Sequence, residues 1–208
     1  MNSENQTRER LLKAAKEEFM EKGYTSASLR NICRKARVTT GALYFFFKDK
    51  EDLFASLVGE PLENILGLMK EHYASEMKEL TKADLLADLS ANFEEDKTAA
   101  QQIVEYMYHY HDEFVLLLMK SQGSKYENCT DEFVTISEEH YRILADKLSE
   151  VFHTKKLDDY IIHWMVHIQT FSFAQLITHG LSREEAVSHI KTIVDYLTSG
   201  WMGVYKEG

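Results

Sequence analysis

The stretch Ser28-Leu29-Arg30-Asn31-Ile32-Cys33-Arg34-Lys35-Ala36-Arg37-Val38-Thr39-Thr40-Gly41-Ala42-Leu43-Tyr44-Phe45-Phe46-Phe47-Lys48-Asp49-Lys50-Glu51-Asp52-Leu53 decides the fold. It holds two short helical patterns separated by a tight turn. Ser28 is placed to cap the first, whose inward positions are Leu29, Ile32, Cys33 and Ala36. Arg37-Val38-Thr39 breaks the pattern, and Thr39 caps a second helix over about 41–46. Small residues where two helices meet, with a tight turn between them, are what a helix-turn-helix needs to present its second helix to the major groove. Ile32, Cys33, Ala36, Val38 and Leu43 supply that packing. Thr39 leaves first-turn N–H groups free for a phosphate, Gly41 lets the backbone approach DNA closely, and Tyr44 adds a hydroxyl beside the phosphates.

Upstream, Leu11, Leu12, Ala15 and Phe19 recur at helical spacing, so a first helix is expected over 7–22, closed by Gly23. Downstream, a fourth helix starts at Lys50 with Leu53, Phe54, Leu57 and Val58 on one face, and Pro61 is expected to kink or restart it. Further helices are expected over 62–78, 82–92, 98–111, 112–120, 127–152, 157–179 and 183–205. Ser121-Gln122-Gly123-Ser124 reads as a loop, and Ser182 with Glu185 as a capping box.

Composition agrees. In 208 residues a single Pro and nine Gly leave little for a turn-rich β fold, and 44% hydrophobic with 28% charged residues is a globular balance. Two cysteines build no disulfide framework and the first residues lack an apolar signal stretch, so a cytoplasmic protein is expected. The net charge of −10 argues against nucleic acid until it is resolved along the chain. Residues 1–52 hold 11 basic and 8 acidic side chains, the remainder 13 and 26. Between Thr25 and Lys48 stand five cations and no acid, the local footprint that phosphate attraction requires. A solvated basic face would have the same composition.

The string from Ser28 to Leu53 resembles the DNA-binding domain of the tetracycline-repressor (TetR) family. So do the Phe19 and Gly23 ending of helix one and the Leu43-Tyr44-x-x-Phe47 and Lys50-Glu51-x-Leu53 elements. The resemblance covers Arg8 to about Val58; the rest matches only as an all-α acidic domain. It implies phosphate contacts from Ser28, Thr39, Tyr44 and Lys50, base readers at Arg30, Thr40 and Ala42, and close approach at Gly41. Two positions depart: Arg37 stands where the family usually has Gly, and Phe46 where it often has His or Tyr. A left-handed residue other than glycine costs of order 1 kcal/mol.

The resemblance further implies that the helices after Pro61 form a sensor domain with a small-molecule cavity, dimerising through the last two helices. Aromatic and Met side chains line apolar pockets and also build ordinary cores; Tyr106, Tyr110, Phe114, Trp164, Met165 and Phe171 are the candidate ligand contacts. A hydrophobic or aromatic, neutral or cationic effector suits them. Residues 160–182 carry no charge, but their His, Gln, Thr and Ser side chains would lack partners in hydrocarbon. That segment suits a subunit interface, with Ala186, Ile190, Ile193, Leu197 and Val204 as a matching stripe, and no membrane is implied. His163 and His167 share a helix face at metal-ligand spacing, without the Glu of a metalloprotease, and read as interface histidines. No P-loop, dinucleotide fingerprint, nucleophile elbow or C-x-x-C pair occurs, so no enzyme, cofactor or metal is expected.

The expected protein is therefore all-α, with an N-terminal three-helix helix-turn-helix DNA-binding domain over 1–49. Helix four joins this to a C-terminal helical ligand-sensing and dimerisation domain over 50–208. Its partners would be a double-stranded DNA operator, a second copy of the chain and an unidentified small-molecule effector. The rival is a helical ligand- or metal-binding protein without a DNA function.

Overall fold

The computed structural model describes residues 3–79 and 89–206. In these the regular structure is helical: α1 (Ser3–Ser26), α2 (Leu29–Ala36), α3 (Thr40–Phe46), α4 (Lys50–Glu79), α5 (Leu89–His109), α6 (His111–Val115), α7 (Cys129–Phe152), α8 (Asp159–Thr178) and α9 (Arg183–Lys206). A wider π-type turn, Leu116–Lys120, continues α6. No described helix is long and apolar enough to cross a membrane.

The chain divides into two compact units, Met1–Asn64 with Tyr110–Cys129, and Ile65–His109 with Thr130–Gly208. In the first, Leu11, Ala15 and Phe19 of α1 are buried with Ile32, Cys33 and Ala36 of α2 and Leu43 of α3. Phe54 of α4 meets Phe19 edge-on, with ring centroids 5.0 Å apart. Gly23 takes φ 72 and ends the regular run of α1, as its position suggested.

In the second unit one core joins Val134, Leu148 and Val151 of α7, Ile162 and Val166 of α8, and Trp201 and Tyr205 of α9. Another joins Ala100 and Val104 of α5, Leu176 of α8, and Ala186, Ile190 and Val194 of α9. Both halves of the capping box form: Glu185 N–H donates to Ser182 Oγ at 3.2 Å, and Ser182 N–H to Glu185 Oε2 at 2.8 Å.

Three expectations are corrected. Pro61 does not restart the helix; it lies inside the continuous α4. An interior proline costs about 3 kcal/mol, but Leu53, Phe54, Val58, Pro61, Leu62, Ile65 and Leu66 stay in phase on one buried face. Burying each large apolar side chain is worth about 1.5–3 kcal/mol, so packing on either side of the proline outweighs it. The helix expected over 82–92 lies mostly outside the described residues, and α5 shows no break between 92 and 98. Ala186 and Ile190 face the chain's own core and are fully buried, so they belong to no outward stripe. The 3.6-residue period turns Tyr196 and Val204 outward instead.

Candidate nucleic-acid interface and a cleft in the second unit

Two caps and one left-handed residue fix the α2–α3 turn. Ser28 Oγ accepts from Asn31 N–H at 3.5 Å, and Thr39 Oγ1 from Ala42 N–H at 3.2 Å. Arg37 ends α2 at φ 56, ψ 45, the left-handed conformation expected of a glycine; its N–H donates to Arg34 O at 3.2 Å, and Val38 N–H to Cys33 O at 3.0 Å. The turn thus keeps its geometry with arginine in place and bears the strain.

Glu18 of α1 ties the first two helices together. It is 2% exposed and accepts from Asn31 Nδ2 at 3.3 Å, Ser28 N–H at 3.4 Å and Lys35 Nζ at 3.0 Å. Burial pushes its carboxyl up, yet the bonds from Lys35, Asn31 and Ser28 together outweigh burial and hold it below its ordinary value. The sequence offered no local signal for this contact, since its members lie 10 to 17 positions apart.

The outer face of α2 and α3 exposes Arg30, Arg34, Arg37, Thr39, Thr40, Gly41, Tyr44 and Phe45, with Lys48 beyond; Ala42 is half-buried beside them. Phe45 was missed by sequence reading. It is 71% exposed on α3, whereas Phe47 two positions on is 2% exposed at the C-cap, where the backbone has turned to an extended conformation. Inside the chain nothing requires a glycine at 41: an added Cβ would meet only Thr39 Oγ1, at 3.8 Å.

Besides Thr39, the cap of α3, two more of the candidate contacts have internal duties. Ser28 caps α2 and is half-buried. Lys50 Nζ donates to Thr25 O at 3.0 Å and Ala27 O at 3.1 Å and lies 4.6 Å from the Tyr24 ring centroid. Burial pushes its ammonium below the ordinary lysine value. One ammonium proton remains for an outside acceptor.

The candidate ligand residues fall in both units. Tyr110 and Phe114 belong to the first unit, where Phe114 is buried. In the second, Tyr106 is half-buried on α5 and Met165 packs against the α7–α9 core, while Trp164 and Phe171 stand exposed on α8. His163 and His167 share that exposed face, rings 4.3 Å apart, and His163 Nδ1 pairs with Glu138. A cleft of about 70 Å³ does occur in this unit, lined by Met69, Ala99, Ile103, Phe173, Leu197 and their neighbours. Its polar groups are His72, Tyr73, Asp96, Tyr141 and Thr198. Tyr73 Oη lies 3.1 Å from Ser137 Oγ, and Tyr141 Oη accepts from Gln169 Nε2 at 2.8 Å. Burial pushes the Tyr73 phenol up to about 12 and holds the Tyr141 phenol well above its ordinary value, so both stay neutral.

Comparison with known proteins bears on the first unit in sequence and on the whole chain in fold. The family profile described as bacterial regulatory proteins, tetR family, matches residues 11–57. The transcriptional repressor BepR of Brucella suis is 44% identical over 64 residues, 29% of this chain and 31% of that one. The chain thus spans about a third of the length of the first curated relatives it matches. A TetR-family regulator from Syntrophomonas wolfei superposes with a TM-score of 0.59 at 18% identity, covering 94% of this chain and 96% of the other. FadR of Bacillus subtilis, solved with stearoyl-CoA, superposes at 0.55 with 18% identity, covering 92% and 98%. At such identities the structural matches establish the fold.

Proposed function

We propose that this chain, whose residues 11–57 match the profile of the tetR family of bacterial regulatory proteins, is a ligand-responsive repressor of that family binding a pseudo-palindromic DNA operator as a homodimer. The observation that carries this reading is the outer face of α2 and α3. Thr39, Thr40, Gly41 and Tyr44 stand exposed there beside Arg30, and none of the four residues on α3 and its cap is a natural choice for a helix that only packs. Thr39 and Tyr44 hold phosphates with Lys50 and Ser28 behind them; Arg30, Thr40 and Ala42 read base edges; Gly41 sets the distance of closest approach.

The DNA-binding function belongs to residues 1–49, and ligand binding and dimerisation to 50–208, a functional division that falls at the start of α4, whereas the compact units divide within it. Tyr160, Trp164 and Phe171 line one exposed face of α8, and Tyr196 and Val204 one of α9. Gly200 and Gly203 have open space at their Cβ positions. Such an apolar surface with small residues suits a second copy of the chain. Work on an operator would place the protein in the cytoplasm. FadR was solved with stearoyl-CoA; here a cleft of about 70 Å³ falls short of the ~300–1,000 Å³ of ordinary ligand sites. An effector held in this cleft would act by favouring a conformation in which it is wider.

The test is binding to duplex DNA at rising salt. Phosphate neutralisation makes affinity fall about 10³–10⁵-fold between 50 and 200 mM for six to ten contacts. A chain that binds no duplex, or binds with no dependence on salt, would leave the helical ligand-binding alternative in place.

A further inference from the structure

A cluster in the second unit takes no part in the DNA-facing surface or the α8–α9 face. His72 and Glu76 stand four residues apart on α4, which sets them on one side of the helix. Asp96 comes from α5. One donor atom from each lies within 4.8 Å of the other two, and His72 Nε2 is 3.5 Å from Asp96 Oδ1. Neighbouring donors around an ion with bonds of ~2.0–2.2 Å lie about 3–3.5 Å apart, so closure asks for shifts of the order of an ångström. All three side chains are partly buried, and His72 and Asp96 face the cleft.

A second observation points to the same place. His140 of α7 is 5% exposed and stacks on Tyr73, with centroids 4.0 Å apart and an interplanar angle of 5°. Its Nε2 lies 2.9 Å from Glu76 Oε2, yet it makes no aligned hydrogen bond. A buried imidazole nitrogen left in this way keeps its desolvation cost uncompensated. It lies beside the carboxylate that a metal would hold, the usual place of the partner that orients a ligating group.

We propose that His72, Glu76 and Asp96 bind one divalent first-row transition-metal ion of the Zn²⁺ type, with His140 as the positioning residue for Glu76 and the remaining coordination positions open to the cleft. Two carboxylates balance the ion's charge in a partly buried setting. The imidazole selects against Mg²⁺ and Ca²⁺, which take oxygen ligands. His163 and His167 offer the obvious competing site, and their exposed face makes them the control.

The experiment titrates ZnCl₂ into the full-length chain after removal of metal with a chelator, with MgCl₂ and CaCl₂ in parallel, and reads heat and thermal midpoint without DNA. The result expected is one Zn²⁺ per protomer with a raised midpoint, and no such rise with the other two ions. His72→Gln and Asp96→Asn should each weaken Zn²⁺ at least tenfold while helical circular dichroism is kept. His140→Gln should weaken it about tenfold and alter the visible spectrum of bound Co²⁺. Absence of Zn²⁺ binding overturns the site. So does binding that survives the paired His72→Gln and Asp96→Asn substitutions, or that is lost in His163→Gln. An unchanged Co²⁺ spectrum and affinity in His140→Gln overturns the positioning role. Because no DNA is present, none of these outcomes bears on the repressor reading.

Discussion

Replacing Glu18 by Gln should loosen the joint between α1 and α2 by an amount that depends on pH. The amide keeps an oxygen for Asn31 Nδ2 and Ser28 N–H, at 3.3 and 3.4 Å in the native protein, and removes the charge facing Lys35 Nζ at 3.0 Å. A hydrogen bond to a charged group is worth about 1.5–3 kcal/mol. Lys35 is 30% exposed and keeps Glu21 at 3.5 Å, which sets the loss at the low end, about 1.5 kcal/mol. At ~2–4 °C per kcal/mol for a chain of this size, the midpoint should fall by about 3–6 °C at pH 7. The Glu18 carboxyl is held below its ordinary value in the folded protein. Its contribution is therefore complete above the unfolded value of ~4.3 and is lost as pH falls through the lower folded value. The gap between wild type and Glu18→Gln should shrink steadily between pH 5 and pH 3. Melting followed by far-ultraviolet circular dichroism reads both quantities. No loss at pH 7, or a loss just as large at pH 3, would refute the role given to the Glu18–Lys35 contact.

Arg37→Gly relieves a left-handed arginine at φ 56 and should raise stability by up to about 1 kcal/mol, about 2–4 °C in the midpoint, less what glycine gives back in the unfolded chain; a lower midpoint would contradict the strain. Gly41→Ala has room for its methyl and should leave stability unchanged or raise it by about 0.5–1 kcal/mol. Duplex affinity should nonetheless fall at least tenfold, and an affinity that held would remove the close-approach role. Trp164→Glu combined with Tyr196→Glu changes side chains already exposed in the protomer. It should yield a folded monomer in sedimentation; a persistent dimer would move the interface elsewhere.

What could be read in advance was local. Thr39 and Ser28 as caps, Arg37 as the strained turn residue and the Ser182–Glu185 box each depend on a few neighbouring positions, and each forms. The restart open to Pro61 does not occur because its cost is local and the burial of Leu62, Ile65 and Leu66 that outweighs it is tertiary. The aromatic residues of the second half were counted along the chain, but which face each takes depends on packing partners. Trp164 and Phe171 consequently point outward, while Phe173, two positions on, lines the cleft. The i, i+4 spacing of His72 and Glu76 drew no notice in the sequence. Asp96 and His140 come from other helices, and only the fold brings them near.

The central claim is that α3 reads DNA, and selection of bound sequences from random duplexes by wild type and Thr40→Ala tests it most directly. Wild type should enrich an inverted repeat whose half-sites lie one or more helical turns apart, ~34–36 Å each. Thr40→Ala should enrich the same repeat with preference altered at one position per half-site, since one base contact is worth about 1–3 kcal/mol. Enrichment of no repeat by wild type, or identical preferences for the two proteins, would contradict the placement of Thr40 on the bases.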